Sequence, residues 1–306
     1  MITFIARHSL LLMALSALAG FAVPEASQAV FPVLPYVLFF LMTLTLLGIN
    51  QRTLISTLKK AVIWKYALYH SFGLMIASLG FSWLINANSD LTLAIVATAA
   101  TGSLFATPAI VRAIGFDSMT AMAMTISTTL LLPLALYLTL FFLQTSDVIL
   151  DLQNYLLRLL IFIFGPMLFS FLVHQQVSQE NLLKIHQKIA PYTIILVFSF
   201  PFGLVGDFRL LWDTSPNDAY WYFLVASALC FSFFLFAFLL YRKQGTEAAL
   251  IAAVTAGNRN VLLTYTIAGS LLGPAFLPLA GAIQAPTYCL PILTKCIARF
   301  YKTKNK

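Results

Sequence analysis

The run Val254-Thr255-Ala256-Gly257-Asn258-Arg259-Asn260 sets one guanidinium among amides and a hydroxyl inside a long apolar stretch, with AALIAA before it and VLLTYTIAG after it. This set is suited to binding rather than bond making. The guanidinium is always charged and offers five donors, while Gly257, Asn258 and Asn260 favour a break in a helix. An ionisable residue inside an apolar span marks a functional site by default, and a broken helix at such a depth is a common way to build a transporter site. From Glu247 to Arg259 there are twelve positions, roughly 18 Å of helix, against a bilayer midplane about 15 Å deep. No Asp or Glu stands in the middle of an apolar stretch. The countercharge of Arg259 must then come from helix carbonyls, from Asn and Thr oxygens, or from an anionic ligand.

A second punctuated run carries Thr98, Thr101-Gly102-Ser103 and Thr107-Pro108. Pro108 removes a backbone donor and clashes with the preceding turn. Paired interruptions at corresponding places point to a transporter binding site, so Thr101, Gly102, Ser103, Thr107, Pro108, Thr255, Gly257, Asn258, Arg259 and Asn260 are the candidate substrate or ion ligands. His70, between Tyr69 and Ser71, could titrate and couple protons. Thr120 is a further candidate for coupling, and Gln284, near Pro286 and Tyr288, for lining the pathway. The aromatic run FSFFLFAFLLY at 231–241 reads as lipid-facing bulk. Cys230, Cys289 and Cys296 are odd in number and lie in apolar runs, which gives neither a disulfide framework nor a metal site. No H-E-x-x-H, Gly-x-Ser-x-Gly or P-loop occurs, so the sequence reads as neither an enzyme nor an ATP-driven pump and calls for no cofactor.

The elements that must hold these residues are membrane helices. The chain has 306 residues, 60% of them hydrophobic and 9% charged, where a soluble domain carries about 25% charged residues. Ten apolar segments are expected near 9–23, 32–49, 62–85, 92–115, 118–142, 152–174, 189–206, 219–241, 247–271 and 275–298, the fourth and ninth interrupted. They alternate so that most of the 18 basic residues fall on one face and Arg209 on the other among acids. The net charge of +8 is therefore a topology signal, with the basic face and both termini cytoplasmic, and not a nucleic-acid surface. Residues 1–29 also fit a cleaved signal peptide; the symmetry of the two halves argues for retention.

That symmetry is one of hydropathy and punctuation. A polar loop at 175–188 and a turn at 143–151 divide the chain into five-helix repeats, 1–146 and 147–306, of opposite orientation. The expected fold is all-α, with ten transmembrane helices in two inverted repeats whose broken fourth and ninth helices cross at midplane.

On these residues the chain resembles the bile acid:sodium symporter family. The ninth-helix motif of that family, Glu-x-Gly-x-Gln-Asn, falls on Thr255 to Asn260, keeping Gly257 and Asn260. The fourth-helix motif falls on Thr101 to Pro108, and FGPMLFSFLVHQQV is similar to its sixth helix. The resemblance implies a panel of helices 1, 2, 6 and 7, a core of helices 3–5 and 8–10, and secondary transport of a small organic anion across a bacterial cytoplasmic membrane. It also implies departures. Thr255 replaces the sodium-ligating Glu, Arg259 replaces the Gln, Ala106-Thr107 replace a Ser-Asn pair, and His70 stands near a Gln of the third helix. A hard cation needs several oxygens, preferably with a carboxylate, so sodium is not expected here. An oxyanion exporter of the same fold and a membrane ligand sensor are the alternatives.

Overall fold

The computed structural model describes residues 9–143 and 152–304, which are nearly all helical, with no strand among them. Helix α1 is Ser9–Ala22. Pro24 stands in the first turn of α2, Pro24–Leu47, where a missing N–H is no loss. Asn50 caps the short α3, Gln51–Leu58, by accepting from Thr53 N–H at 3.1 Å. Helix α4, Ala61–Leu84, carries a π-turn at Tyr69–Gly73. Asn88 caps α5, Ser89–Ala100, and α6, Thr107–Ile114, ends at Gly115 with φ +93°, a left-handed stop suited to glycine. Then follow α7, Ser118–Leu143, and α8, Leu152–Gln176. After them come α9, Gln179–Leu204, α10, Gly206–Thr214, and α11, Pro216–Tyr241. The chain closes with α12, Thr246–Gly257, α13, Val261–Ala268, α14, Phe276–Ala282, and α15, Gln284–Lys304.

Among the described residues, six stretches are helices long and apolar enough to cross a membrane: Pro24–Leu47, Ala61–Leu84, Ser118–Leu143, Leu152–Gln176, Pro216–Gln244 and Phe276–Tyr301. The protein is a multi-pass helical membrane protein on this criterion. Helices α5 and α12 are shorter and buried on nearly every side, which is the mark of a helix enclosed by others. Helix α12 packs against α7, α11 and α15, and α5 against α4, α7 and α14. A second group of contacts joins α9 to α1 and α2, and α8 to α2.

Three features differ from the sequence reading. The polar stretch 175–188 is not a loop: α9 begins at Gln179, capped by Ser178 and reinforced by the Lys184–Glu180 pair at 2.6 Å. Its charges lie on an exposed extension of the helix rather than ending it. The second apolar segment starts eight residues earlier than expected, at Pro24. Helices α3 and α10 were not expected, because short amphipathic helices give no long apolar run. The turn at 143–151, the repeat boundary at 146/147, Arg7, Asp147, Asp151 and Lys306 fall wholly or mostly outside the described residues.

Candidate binding site at two interrupted helices

Both interrupted segments break where their Gly, Pro and Asn residues stand. Helix α5 stops at Ala100 and α6 starts at Thr107; α12 stops at Gly257 and α13 starts at Val261. The two gaps meet. Ser103 and Arg259 form an isolated antiparallel bridge, in which Leu104 N–H donates to Asn258 O at 2.9 Å and Asn260 N–H to Gly102 O at 2.9 Å. Unwound backbone deep in a membrane protein must find partners inside the protein, and here each gap serves the other. Side chains add to the bridge: Thr101 Oγ1 donates to Asn260 O at 2.9 Å, Ser103 Oγ donates to Thr255 O, and Ser103 N–H donates to Thr128 Oγ1 of α7 at 3.2 Å. Gly102 fits because a Cβ there would stand 3.1 Å from the Thr129 backbone.

Arg259 is 4% exposed. Its Nη1 donates to Ala99 O at 3.2 Å and Thr101 O at 3.0 Å, the carbonyl end of α5, where the helix dipole favours a cation. The same Nη1 lies 2.6 Å from His70 Nε2. Arginine has no acceptor, so Nε2 must accept and the imidazole is neutral with its proton on Nδ1. That proton faces Tyr66 Oη at 3.0 Å, and the Tyr66 hydroxyl in turn donates to Ala252 O at 3.3 Å. The chain of donors runs one way, from Arg259 through His70 and Tyr66 to the backbone of α12. His70 and Ser71 occupy the π-turn of α4, a distortion that often marks functional positions. The ring of Phe233 lies 4.2 Å from the guanidinium carbon, a cation–π contact.

Every protein partner of Arg259 described so far is electrically neutral. Its Nε and Nη2 have no hydrogen-bond partner among the described residues, and the same holds for Asn260 Nδ2, both side-chain polar atoms of Asn258, Thr98 Oγ1 and Thr107 Oγ1. Buried polar atoms are ordinarily satisfied, so this concentration at one place is the chemical signature of the site. A cavity of about 20 Å³ adjoins it, bounded by Arg259 and Asn260 and by Gln284, Thr287 and Tyr288 of α15.

Ten of the sequence candidates therefore converge on the two gaps, with Thr107 and Pro108 opening α6 and Thr255 Oγ1 turned back to Ile251 O at 2.6 Å. His70 joins them through Arg259, and Gln284 through the cavity. Thr120 lies apart, in the first turn of α7, where its Oγ1 donates to Asp117 Oδ2 at 2.6 Å. Two residues at the site escaped the sequence reading. Tyr66 carries no signal beyond its place four positions before His70. Phe233 belongs to the run read as lipid-facing bulk, yet Phe233, Phe234, Ala237 and Tyr241 are buried. They recur at the three- and four-residue spacing of one helix face, a signal masked because the opposite face is equally apolar. Comparison of the chain with protein-family models and with curated proteins gives no match.

Proposed function

We propose that this protein is a secondary transporter that moves a small organic anion across a bacterial cytoplasmic membrane by alternating access. The observation that carries the reading is the backbone pairing of two interrupted helices around a buried, fixed positive charge. Interrupted helix pairs in related positions of two halves are typical of secondary transporters. The lengths support a repeat: α5 and α12 have 12 residues each, and α6 and α13 have 8 each. Pro133 and Pro291 also match, each fifteen residues beyond Ser118 and Phe276, the starts of the helical stretches that follow the gaps. The packing of α1, α2, α8 and α9 on one another suits a panel against which a core of the other helices could rock. This is the arrangement that the resemblance to bile acid:sodium symporters implies, with ten spans in two inverted repeats.

In that scheme Arg259 takes the electrostatic place of a coupling sodium. It ties the carbonyl end of α5 to the second gap as a cation would, but permanently. Transport is then indifferent to sodium. The test is uptake by proteoliposomes of a panel of labelled carboxylates and sulfonates, in sodium and in choline medium. Equal uptake in both supports the reading; a strict sodium requirement in the wild type sinks the substitution of Arg259 for sodium. Binding without transmembrane movement would point to a sensor instead. The double change Arg259→Gln with Thr255→Glu restores the acid and removes the fixed charge, and is expected to make uptake sodium-dependent.

A further inference from the structure

Helices α4 and α11 each pack one side into the protein, α4 against α5 and α7, and α11 against α10, α12, α14 and α15. Toward the Tyr66 end of α4 they touch each other, with the ring centroids of Tyr66 and Tyr241 5.7 Å apart. Farther along they part and leave a furrow of about 340 Å³. Leu74, Leu229 and Phe233 form its buried floor, and Ala77, Phe236 and Leu239 its exposed rim. A smaller hollow between His70 and Tyr241 shares Leu74 and Phe236 with it and carries the seam toward the Tyr66 end. The floor is also the back of the binding site, because the Phe233 ring lies 4.2 Å from the guanidinium carbon of Arg259.

Both helices are long and apolar enough to span a bilayer, so the furrow faces hydrocarbon. A gap left empty beside packed side chains forfeits their dispersion contacts, and an acyl chain restores them. That filling selects no particular lipid, since lipid tails are as apolar as leucine. Charge does select. At the end where the helices touch stand Lys65, next to Tyr66, and Arg242 and Lys243, next to Tyr241; all three are exposed, and no ion pair engages them among the described residues. Lys60, close by, already faces Asp117. Trp64 and Tyr69 are exposed at the same level of α4, as aromatic side chains at a membrane boundary are. The opposite ends carry Asp218 in the first turn of α11 and the uncharged run Trp83 to Asn86 on α4. The seam is thus cationic at one end and acidic at the other. From Arg242 back to Ala228, at the far end of the furrow, there are fourteen positions, roughly 21 Å of helix, room for a chain entering from one leaflet of a ~30 Å core. We propose that α4 and α11 hold one anionic phospholipid, its phosphate at Lys65, Arg242 and Lys243 and one acyl chain laid in the furrow over Phe233. A second furrow, of about 330 Å³ between α1 and α15, has no such end: Arg209, which bonds Phe21 O at its rim, is already paired with Asp213. The lipid site is independent of whether the protein transports a solute.

The test uses the full chain, purified in mild detergent, stripped of lipid and followed by native mass spectrometry with added dioleoyl phosphatidylglycerol or dioleoyl phosphatidylcholine. One phosphatidylglycerol per chain is expected to be retained in preference to phosphatidylcholine, and to raise the thermal midpoint where phosphatidylcholine does not. The triple change Lys65→Gln, Arg242→Gln and Lys243→Gln is expected to weaken retention about tenfold or more, three bases at an anionic surface being lost. Ala77→Trp, on the exposed rim, fills the furrow and is expected to displace the chain with the bases intact. Removing three bases elsewhere, by Lys184→Gln, Lys188→Gln and Lys295→Gln, is expected to leave retention unchanged. Equal retention of the two lipids overturns the proposal, as does equal loss in the two triple variants or retention unaffected by Ala77→Trp. Quantitative disulfide-linked dimer from Ser232→Cys in intact membranes, with Cys289 and Cys296 replaced by serine, would overturn it too, because a second copy of the chain would then cover the furrow.

Discussion

His70 is held as a neutral acceptor by geometry alone, since Arg259 donates to its Nε2 and Tyr66 receives its other proton. A glutamine at this position offers an oxygen and an amide in a comparable order, whereas alanine offers neither. His70→Ala removes the nearest acceptor of Arg259 Nη1 and the partner of the Tyr66 hydroxyl, and is expected to lower stability by about 1–3 kcal/mol, the range for losing a buried hydrogen-bond partner. His70→Gln is expected to recover most of that loss. Thermal midpoints of the purified variants check the order, and equal loss in both would show that packing rather than hydrogen bonding sets the role of His70. Sequence alone made Arg259 and His70 visible because their chemistry is out of place in an apolar segment. It could not make their contact visible, since 189 positions separate them and nothing local encodes that pairing. Phe233 was hidden for the opposite reason: its chemistry is that of its surroundings.

At the scale of elements, the helices are joined by close backbone approaches. A Cβ at Gly20 of α1 would stand 2.2 Å from Phe202 O of α9, and backbone there has no flexible end to move aside. Gly20→Ala is expected to separate these helices and lower stability by about 1–3 kcal/mol, as overpacking does, read as a lower thermal midpoint. The turn between α6 and α7 is held differently. Asp117 N–H donates to Glu247 Oε1 of α12 at 3.3 Å. Partial burial by itself would raise the Asp117 carboxyl. The Thr120 hydroxyl and the N–H groups of Met119 and Thr120 outweigh it, with Lys60 adding the same sign, and hold the carboxyl below its ordinary 3.8. A carboxylate depressed in this way stabilises the fold above its ordinary value, and that contribution is lost as pH falls through the lower folded value. Thermal midpoints followed below pH 3.8 should therefore fall more steeply in the wild type than in Asp117→Asn. The apolar runs and their two interruptions were legible in the sequence, because length and hydropathy select membrane helices and Gly, Pro and Asn end them. The start of α9 was not, because a charged first turn on a long helix looks like a loop until its Ser178 cap and its Lys184–Glu180 pair are seen together.

Taken whole, the molecule should place its basic ends on one side of the membrane. Arg209, paired with Asp213 at 2.9 Å and lying 5.0 Å from the Phe21 ring centroid, belongs on the other side in the charge pattern. A C-terminal green fluorescent protein fusion is expected to fluoresce and an alkaline phosphatase fusion at the same point to be inactive; the reverse result would overturn the ten-span arrangement or its orientation. Where two distant gaps combine is a property of the whole chain. The matched lengths of α5 with α12 and of α6 with α13 come without evident residue identity between the two segments, so punctuation located the two breaks where no repeated motif did.

The bridge between the gaps also has a consequence for how the chain is made. Ser103 and Thr101 take acceptors 152 and 159 positions ahead of them, so during synthesis the first gap enters the bilayer long before its partner exists. Its unpaired N–H and C=O groups cannot rest in hydrocarbon, and an insertion chaperone or a water-filled vestibule of the translocation machinery must shelter them until α12 and α13 emerge. Chains truncated after Tyr241 are thus expected to be held by the insertion machinery and degraded faster than the full chain, which pulse-chase labelling in cells would measure; equal lifetimes would show that the first gap can wait alone.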